Sequence, residues 1–289
     1  MRRRTFLAVM GFAPGLLPIA EGGQERRIPL GMRADGLQLV IREASDSGVV
    51  YFAPHDNENV AVQAVERLWQ TRPLGTLIEL RQTDSERLRY VYQHIGGTKI
   101  YCDPNRIFAD LAVVRRELGR TRGGRACGRV INRSVTGAHI KRAAAHFQQI
   151  GRQITDVLGE YLHGPAPLLV GLHNNSEGRL GVGNPQLRAG GPVSARPPHQ
   201  QQGQDPDDFL LVTQNPDFER LRQSGFNVVL QKPNAFDDGS LSVWAARQRP
   251  GIRYIAVEAQ HVECLSAQQA RGHLDVQLRM LEAITGDRS

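Results

Sequence analysis

At 289 residues, with 40% hydrophobic and 22% charged residues, the chain can bury a sizeable core and has the balance of a folded globular protein. The formal charge is +7, but residues 1–20 hold three Arg and no acid, so the remainder carries only +4. Its other Arg are scattered, without aromatic interleaving or a nucleic-acid module, and no nucleic-acid partner is expected.

In chain order, Arg2-Arg3-Arg4 precedes a moderately apolar run broken by Gly11, Pro14, Gly15 and Pro18. This pattern predicts an export signal over 1–20, with a periplasmic or otherwise exported location and no stable membrane insertion once the signal is removed. Arg3-Arg4-Thr5-Phe6-Leu7 is similar to the twin-arginine export motif. The alternative is an uncleaved, disordered basic terminus. Residues 21–35 are polar and read as a tether, leaving 36–289 as one folded domain.

Strands are predicted at Leu37–Ile41 and Val49–Phe52, followed by a helix over 59–71 with Asn57 or Asn59 as its cap. Thr76–Leu80, Leu88–Tyr92 and Lys99–Tyr101 are three more β-rich runs, and Ile107–Leu118 has helical spacing. Residues 121–135 form a basic, Gly-rich loop. Gly137–Leu162 is a long amphipathic helix with Ile140, Phe147, Ile150 and Ile154 on one face. Pro167–His173 is a buried strand, and 174–207 a long loop over the surface. Phe209–Val212 and Phe226–Leu230 are strands flanking a short helix. Tyr254–Glu258 is the last strand, and 265–285 the last helix. Buried strands alternating with helices imply an α/β fold: a single-domain mixed, mostly parallel central sheet with helices on both faces.

Cys102, Cys127 and Cys264 form no Cys-x-x-Cys and no zinc-finger spacing. In an oxidising compartment Cys102 and Cys127 would close a loop of about 25 residues, worth about 3 kcal/mol; otherwise all three are buried free thiols.

Four metal- or proton-competent residues fall at or near strand ends: His55, Glu58, His173 and Glu258. In open α/β sheets, sites assemble at the carboxyl ends of strands. A catalytic zinc commonly takes two His and one carboxylate, and a separate carboxylate accepts the proton of the attacking water. Each residue has a plainer reading. His55 can bond a backbone carbonyl, Glu58 can be a first-turn acid favoured by the helix dipole, and His173 can be a loop residue. A lone His-x-x-Glu arises by chance about as often as not in a chain with nine His. Glu258 is harder to dismiss, because an unpaired acid in a buried strand is costly. Asn105 and Arg106 place an amide beside a planar charged fork suited to a carboxylate, although Arg106 can also pair with Asp103 or Asp110. Asp237-Asp238-Gly239 reads either as an ordinary turn or as a holder of a substrate ammonium. His261 lies near the site or caps the final helix.

Taken together, His55-x-x-Glu58, Asp103-Pro-Asn-Arg106, Leu172-His173-Asn and Val257-Glu258 resemble the zinc carboxypeptidase superfamily. The succinylglutamate desuccinylase and aspartoacylase branch is the most similar. The separations, 115 residues from Glu58 to His173 and 85 more to Glu258, are also similar to that branch. The resemblance covers about residues 48–264 and is specific only at the motifs. It implies one zinc ion held by His55, Glu58 and His173, Glu258 as general base then acid, and Asn105 with Arg106 binding a substrate carboxylate. The implied activity is hydrolysis of an amide bond next to a free carboxylate, on a small peptide, including murein-derived peptides, or on an acylated amino acid. A catalytically inactive binding protein on the same fold is the alternative from another class. Several departures stand out. Asp56 replaces the usual Gly, Pro104 replaces Leu, and Gly171 stands where an Asp often precedes the ligand His. The Arg that polarises the scissile carbonyl is left to Lys99, Arg87 or Arg89. The thirty or so residues after Glu258 are too few for the C-terminal β-domain of the desuccinylase branch.

Overall fold

The computed structural model describes residues 25–83, 89–123, 125–126, 129–175, 180–184, 186–188, 191–260 and 267–286. The chain forms β1 (Arg26–Pro29), β2 (Leu37–Glu43), β3 (Val49–Ala53), α1 (Asn59–Thr71), β4 (Thr76–Gln82), β5 (Val91–Ile95) and β6 (Thr98–Cys102). After a 3-10 turn at Pro104–Arg106 come α2 (Leu111–Arg120), the short strands β7 (Arg125–Ala126) and β8 (Arg129–Val130), and α3 (Gly137–Tyr161). The remainder is β9 (Leu168–Asn175), β10 (Phe209–Val212), α4 (Asn215–Gln223), β11 (Asn227–Leu230), α5 (Leu241–Gln248), β12 (Arg253–Gln260) and α6 (Ala267–Thr285).

Eight strands make one mixed sheet in the order β1-β2-β4-β3-β9-β12-β10-β11. Four of its pairings are parallel (β4 with β3, β3 with β9, β9 with β12, β10 with β11), and the other three are antiparallel. β3 shows why the sheet is covered twice. Val50 and Phe52 join a core cluster with α2, α3 and α5, whereas Val49, Tyr51 and Ala53 join one with α1, α4 and α6. A strand buried on both faces needs an unbroken apolar run, and this one has it. α3 contributes Ile140, Ala144, Phe147, Ile150, Ile154 and Leu158 to the first cluster, at the spacing of one helical face. Each fully buried large side chain of this stripe contributes about 1.5–3 kcal/mol.

Several elements differ from expectation, among them the strand expected at Leu88–Tyr92, which lies at Val91–Ile95, and the 121–135 loop, which holds the short strands β7 and β8. Residues 26–29, assigned to a tether, pair with β2, and Leu30 beyond them is buried. The helix expected from Ile107 starts at Leu111, because Asp110 caps it by accepting from Val113 N at 2.9 Å. α5 was not anticipated. The loop expected over the surface at 174–207 runs there in its described parts after Asn175, pinned at a few points: Val182 and Leu187 cluster with Phe209 and Val229, and bridges tie Ser194 to Gln231 and His199 to Val228. Cys102 is a free thiol in the core, pushed well above its ordinary pKa by burial. Cys127, Cys264 and the 1–20 segment lie outside the described residues. No helix among the described residues is long and apolar enough to cross a membrane.

Candidate metal centre

β3 ends where Pro54 follows Ala53, since proline cannot donate to a sheet ladder. The chain then turns tightly, Glu58 N donating to His55 O at 3.3 Å, and α1 begins at Asn59. Neither Asn57 nor Asn59 caps that helix. Glu58 stands at the N-cap without a side-chain cap bond. Its carboxylate is used elsewhere, accepting from Asn174 N and facing the His55 ring. Asp56 is buried and anchored by Arg81, which donates to its carbonyl at 2.8 Å and its carboxylate at 3.0 Å. The turn therefore comes pre-set against β4.

Parallel pairing brings the remaining groups to the same end. β3 and β9 are in register at Phe52 and Gly171, which puts His173 just beyond the last paired residue of β3. β9 and β12 are in register at His173 and Glu258. Three adjacent strands thus present His55, His173 and Glu258 at their carboxyl ends.

His55, Glu58 and His173 are only 2%, 2% and 5% exposed, and each offers a ligand atom within 4.8 Å of the others. His55 Nδ1 lies 2.6 Å from Glu58 Oε1, and His173 Nδ1 is 3.7 Å from the same oxygen. The far side of His55 is held by Asp103, whose Oδ1 is 3.0 Å from Nε2. With the ring proton on Nε2 donated to that carboxylate, Nδ1 is left as a lone pair turned into the cluster. Two acceptors 2.6 Å apart in a buried place require a cation between or beside them, either a proton or a metal ion. Two imidazoles and a carboxylate are a common donor set for catalytic zinc, so the residues fit the ion.

The charges follow from the contacts. Burial alone would raise Glu58, but the His173 and His55 rings hold it down at about 2. Burial and the Arg89 charge oppose protonation of His55, yet Asp103 and Glu58 accept from its ring and raise it. Asp103 is buried too, and stays well below the usual carboxylate range because Arg89 and His55 face it. Glu258 is different: burial leads and raises its carboxyl, only partly offset by His173.

Around this centre, Asn105 and Arg106 sit in the 3-10 turn whose first residues are set by Asp103, which accepts from Asn105 N at 2.9 Å. Arg106 pairs with neither Asp103 nor Asp110. It meets Asp238 at 3.0 Å. Asn105 Oδ1 accepts from Leu241 N at 3.1 Å, leaving its amide nitrogen available. Of the basic residues considered for the carbonyl, Arg89 and Lys99 are described, and of these two Arg89 is the one beside the cluster. It grips Asp103 through Nε and Nη2 at 3.2 and 3.0 Å, and its charge reaches His55, Glu58 and Glu258. Lys99 instead rests over the Tyr92 ring at 3.6 Å, and Arg87 and His261 lie outside the described residues. Tyr254, on the same strand as Glu258, is a buried phenol raised by burial and by the Glu258 carboxylate, with Arg106 and Asp238 also within its field.

Fold and site together describe a mixed α/β protein with a buried His–Glu–His donor set and a separate carboxylate at the ends of adjacent strands. No protein-family profile and no curated protein matches the chain. Among solved structures, the chain is similar to the succinylglutamate desuccinylase of Chromobacterium violaceum. That similarity has 13% identity over 90% of this chain and 72% of the other, with a TM-score of 0.41. It is also similar to a protein assigned as a succinylglutamate desuccinylase/aspartoacylase from Shewanella frigidimarina NCIMB 400, at 13% identity over 92% and 72% with a TM-score of 0.38.

Proposed function

We propose that the protein is a zinc-dependent hydrolase that cleaves an amide bond beside a free carboxylate. The observation that carries this reading is the convergence of His55, Glu58 and His173, oriented from behind by Asp103, with Glu258 in register on the next strand. Zinc held by the three ligands would supply Lewis acidity toward the scissile carbonyl and a lowered pKa for water. Glu258, with its raised carboxyl, takes the proton from the attacking water and returns it to the leaving amine. Arg89 keeps Nη1 free of hydrogen bonds among the described residues and offers it to the oxygen that gains charge. The open Nε/Nη2 edge of Arg106 and the Asn105 amide bind the substrate carboxylate. The export pattern of residues 1–20 motivates murein-derived peptides as the substrate.

Metal analysis of the purified protein, combined with hydrolysis of peptides, murein fragments and N-acyl amino acids, tests the reading. We expect one zinc per chain, lost in His173→Ala, and release of a free amino acid. Turnover of acyl amino acids but not peptides selects the deacylase form. Full activity in Glu258→Gln, or a protein that neither holds zinc nor cleaves any of these amides, overturns the proposal.

A further inference from the structure

We propose that the outer face of α2, with the start of α3, is a docking surface for an anionic phospholipid bilayer, held at the level of the headgroups without insertion of a helix.

Although Arg is scattered along most of the chain, one segment stands apart. Residues 111–142 hold nine Lys and Arg against one acid, a net +8, whereas the whole chain carries +7 and residues 1–20 supply +3 of that. All other residues together are left at −4, so the positive charge of the folded part is concentrated here. The one acid, Glu117, is buried and shared by Arg116 and Arg120, each at 2.9 Å. Arg115 and Arg122 are exposed and form no ion pair or hydrogen bond among the described residues. They rim a groove of about 490 Å³ between α2 and the first turn of α3, with Arg116 as its third cation and no acid among its lining residues. Gly137 opens α3 there, and the N-terminal end of this 25-residue helix adds to the positive field.

The floor of the groove is apolar. Gly119 and Ile140 line it, and a Cβ at Gly119 would meet nothing within 4 Å, so the space above it is open. Four large hydrophobic side chains stand exposed among the described residues, and three belong to this region. Leu111, 45% exposed, opens α2 one turn before Arg115. Val130, 44% exposed, is kept near Arg122 by Gly123 N, which donates to Ile131 O at 3.1 Å. Phe236, 54% exposed, lies under Arg116, whose guanidinium is 4.7 Å from the ring centre.

Unpaired cations interspersed with exposed apolar groups are complemented by a headgroup layer. Its phosphates take the guanidinium groups, and the acyl boundary takes the apolar side chains. Nucleic acid matches only the charge. It would leave Leu111 and Val130 in water, and the Phe236 ring already carries Arg116 rather than a base. The contact is peripheral, since no helix among the described residues is long and apolar enough to cross a membrane.

The test uses the full chain and sedimentation with vesicles of phosphatidylglycerol and phosphatidylcholine, against vesicles of phosphatidylcholine alone, with short duplex DNA as the rival polyanion. We expect binding to the anionic vesicles only, weakened by raised salt. Arg115→Gln with Arg122→Gln should weaken it about 25-fold, since each cation at an anionic bilayer is worth about fivefold, and Arg115→Lys with Arg122→Lys should retain it. Leu111→Ser with Val130→Ser should weaken vesicle binding severalfold and leave any DNA binding as it was. Residues 1–20 carry three Arg of their own, so Arg3→Gln with Arg4→Gln is the control. Vesicle binding lost in that control but kept in Arg115→Gln with Arg122→Gln overturns the inference. So do equal binding to both kinds of vesicle, binding to neither, tighter binding to DNA than to anionic vesicles, or unchanged vesicle binding in Leu111→Ser with Val130→Ser.

Discussion

Asp103 is itself neither a metal ligand nor a substrate-binding group in this reading, yet it decides how His55 presents itself, and substituting it tests the metal centre from behind. One oxygen accepts from His55 Nε2 at 3.0 Å and Asn105 N at 2.9 Å, and the other from Arg89 Nε and Nη2 at 3.2 and 3.0 Å. Asparagine keeps the shape but has a single acceptor oxygen, so one set of donors must face its NH₂. The Arg89 side chain is 44% exposed and can swing to water, whereas His55 at 1% cannot. The amide oxygen therefore stays with His55, and Asp103→Asn keeps the ring tautomer while releasing Arg89. Asp103→Ala keeps neither. Groups that hydrogen-bond a ligating histidine on its far nitrogen are worth about 10- to 100-fold in metal affinity, or about 1.4–2.7 kcal/mol. Asp103→Asn belongs at the weak end and Asp103→Ala at the strong end, with thermal unfolding measured alongside as a check on the fold. Competition against a chromophoric zinc chelator at neutral pH reads both. If Asp103→Ala holds zinc as tightly as the wild type, the orienting role assigned to this carboxylate is wrong.

Three further outcomes follow from the same contacts. Glu58 is depressed from 4.5 to about 2 in the fold, so in metal-free protein it contributes stability that is fully present above 4.5 and lost as pH falls toward 2. The amount is about 3 kcal/mol, and Glu58→Gln should flatten the acid limb of the unfolding free energy measured in denaturant; an unchanged limb refutes it. Glu258 acts as a base only when ionised and its carboxyl is raised, so kcat/KM should climb with pH through a value above the ordinary 4.5. Glu258→Gln should lower kcat by about 10²- to 10⁴-fold at unchanged zinc content, and a loss of zinc would place the residue among the ligands instead. In Gly171→Ala, the new Cβ would stand 2.4 Å from the Tyr254 hydroxyl and 3.3 Å from His173 Nε2. We expect a cost of about 1–3 kcal/mol in denaturant unfolding, partly recovered by adding Tyr254→Phe; no recovery would show that the clash lies elsewhere.

Much of the frame could be read from residues because it rests on local pattern. The unbroken run Val49–Ala53, the 3.6-residue stripe of α3 and the apolar β9 and β12 each announce burial on their own. β1 could not be read, since Arg26-Arg-Ile-Pro29 is a four-residue edge strand whose only signal is the partner beside it. α5 has eight residues and a weak apolar face, and its place comes from packing against β12. The donor set was legible because chemistry-bearing residues at strand ends converge when the strands are parallel neighbours. Charge pairing was not legible. Arg106 had two near acids, but Asp103 is engaged by His55 and Arg89 and Asp110 caps α2, which leaves it to an acid far along the chain. Any Arg can pair with any Asp, and only the fold chooses.

The two carboxylates at the centre show how one hollow can assign opposite tasks to the same functional group. Glu58 and Glu258 both lose water, and burial alone would raise both. Glu58 stands against two imidazole rings and accepts from the Asn174 amide, so its ionised form is held and it is suited to stay on a cation. Asn174 is itself tied down, donating to Asn57 O at 3.0 Å and accepting from the fully buried Gln277 of α6 at 3.0 Å. Glu258 has His173 nearby, but burial dominates, so its proton is held more firmly than that of an ordinary carboxyl. A fixed anion beside a carboxyl that can both take and give a proton is the division of labour that hydrolysis of an amide requires. That division is set by what surrounds each side chain. It follows that interchanging the tasks would require moving the imidazole rings as well as the carboxylates.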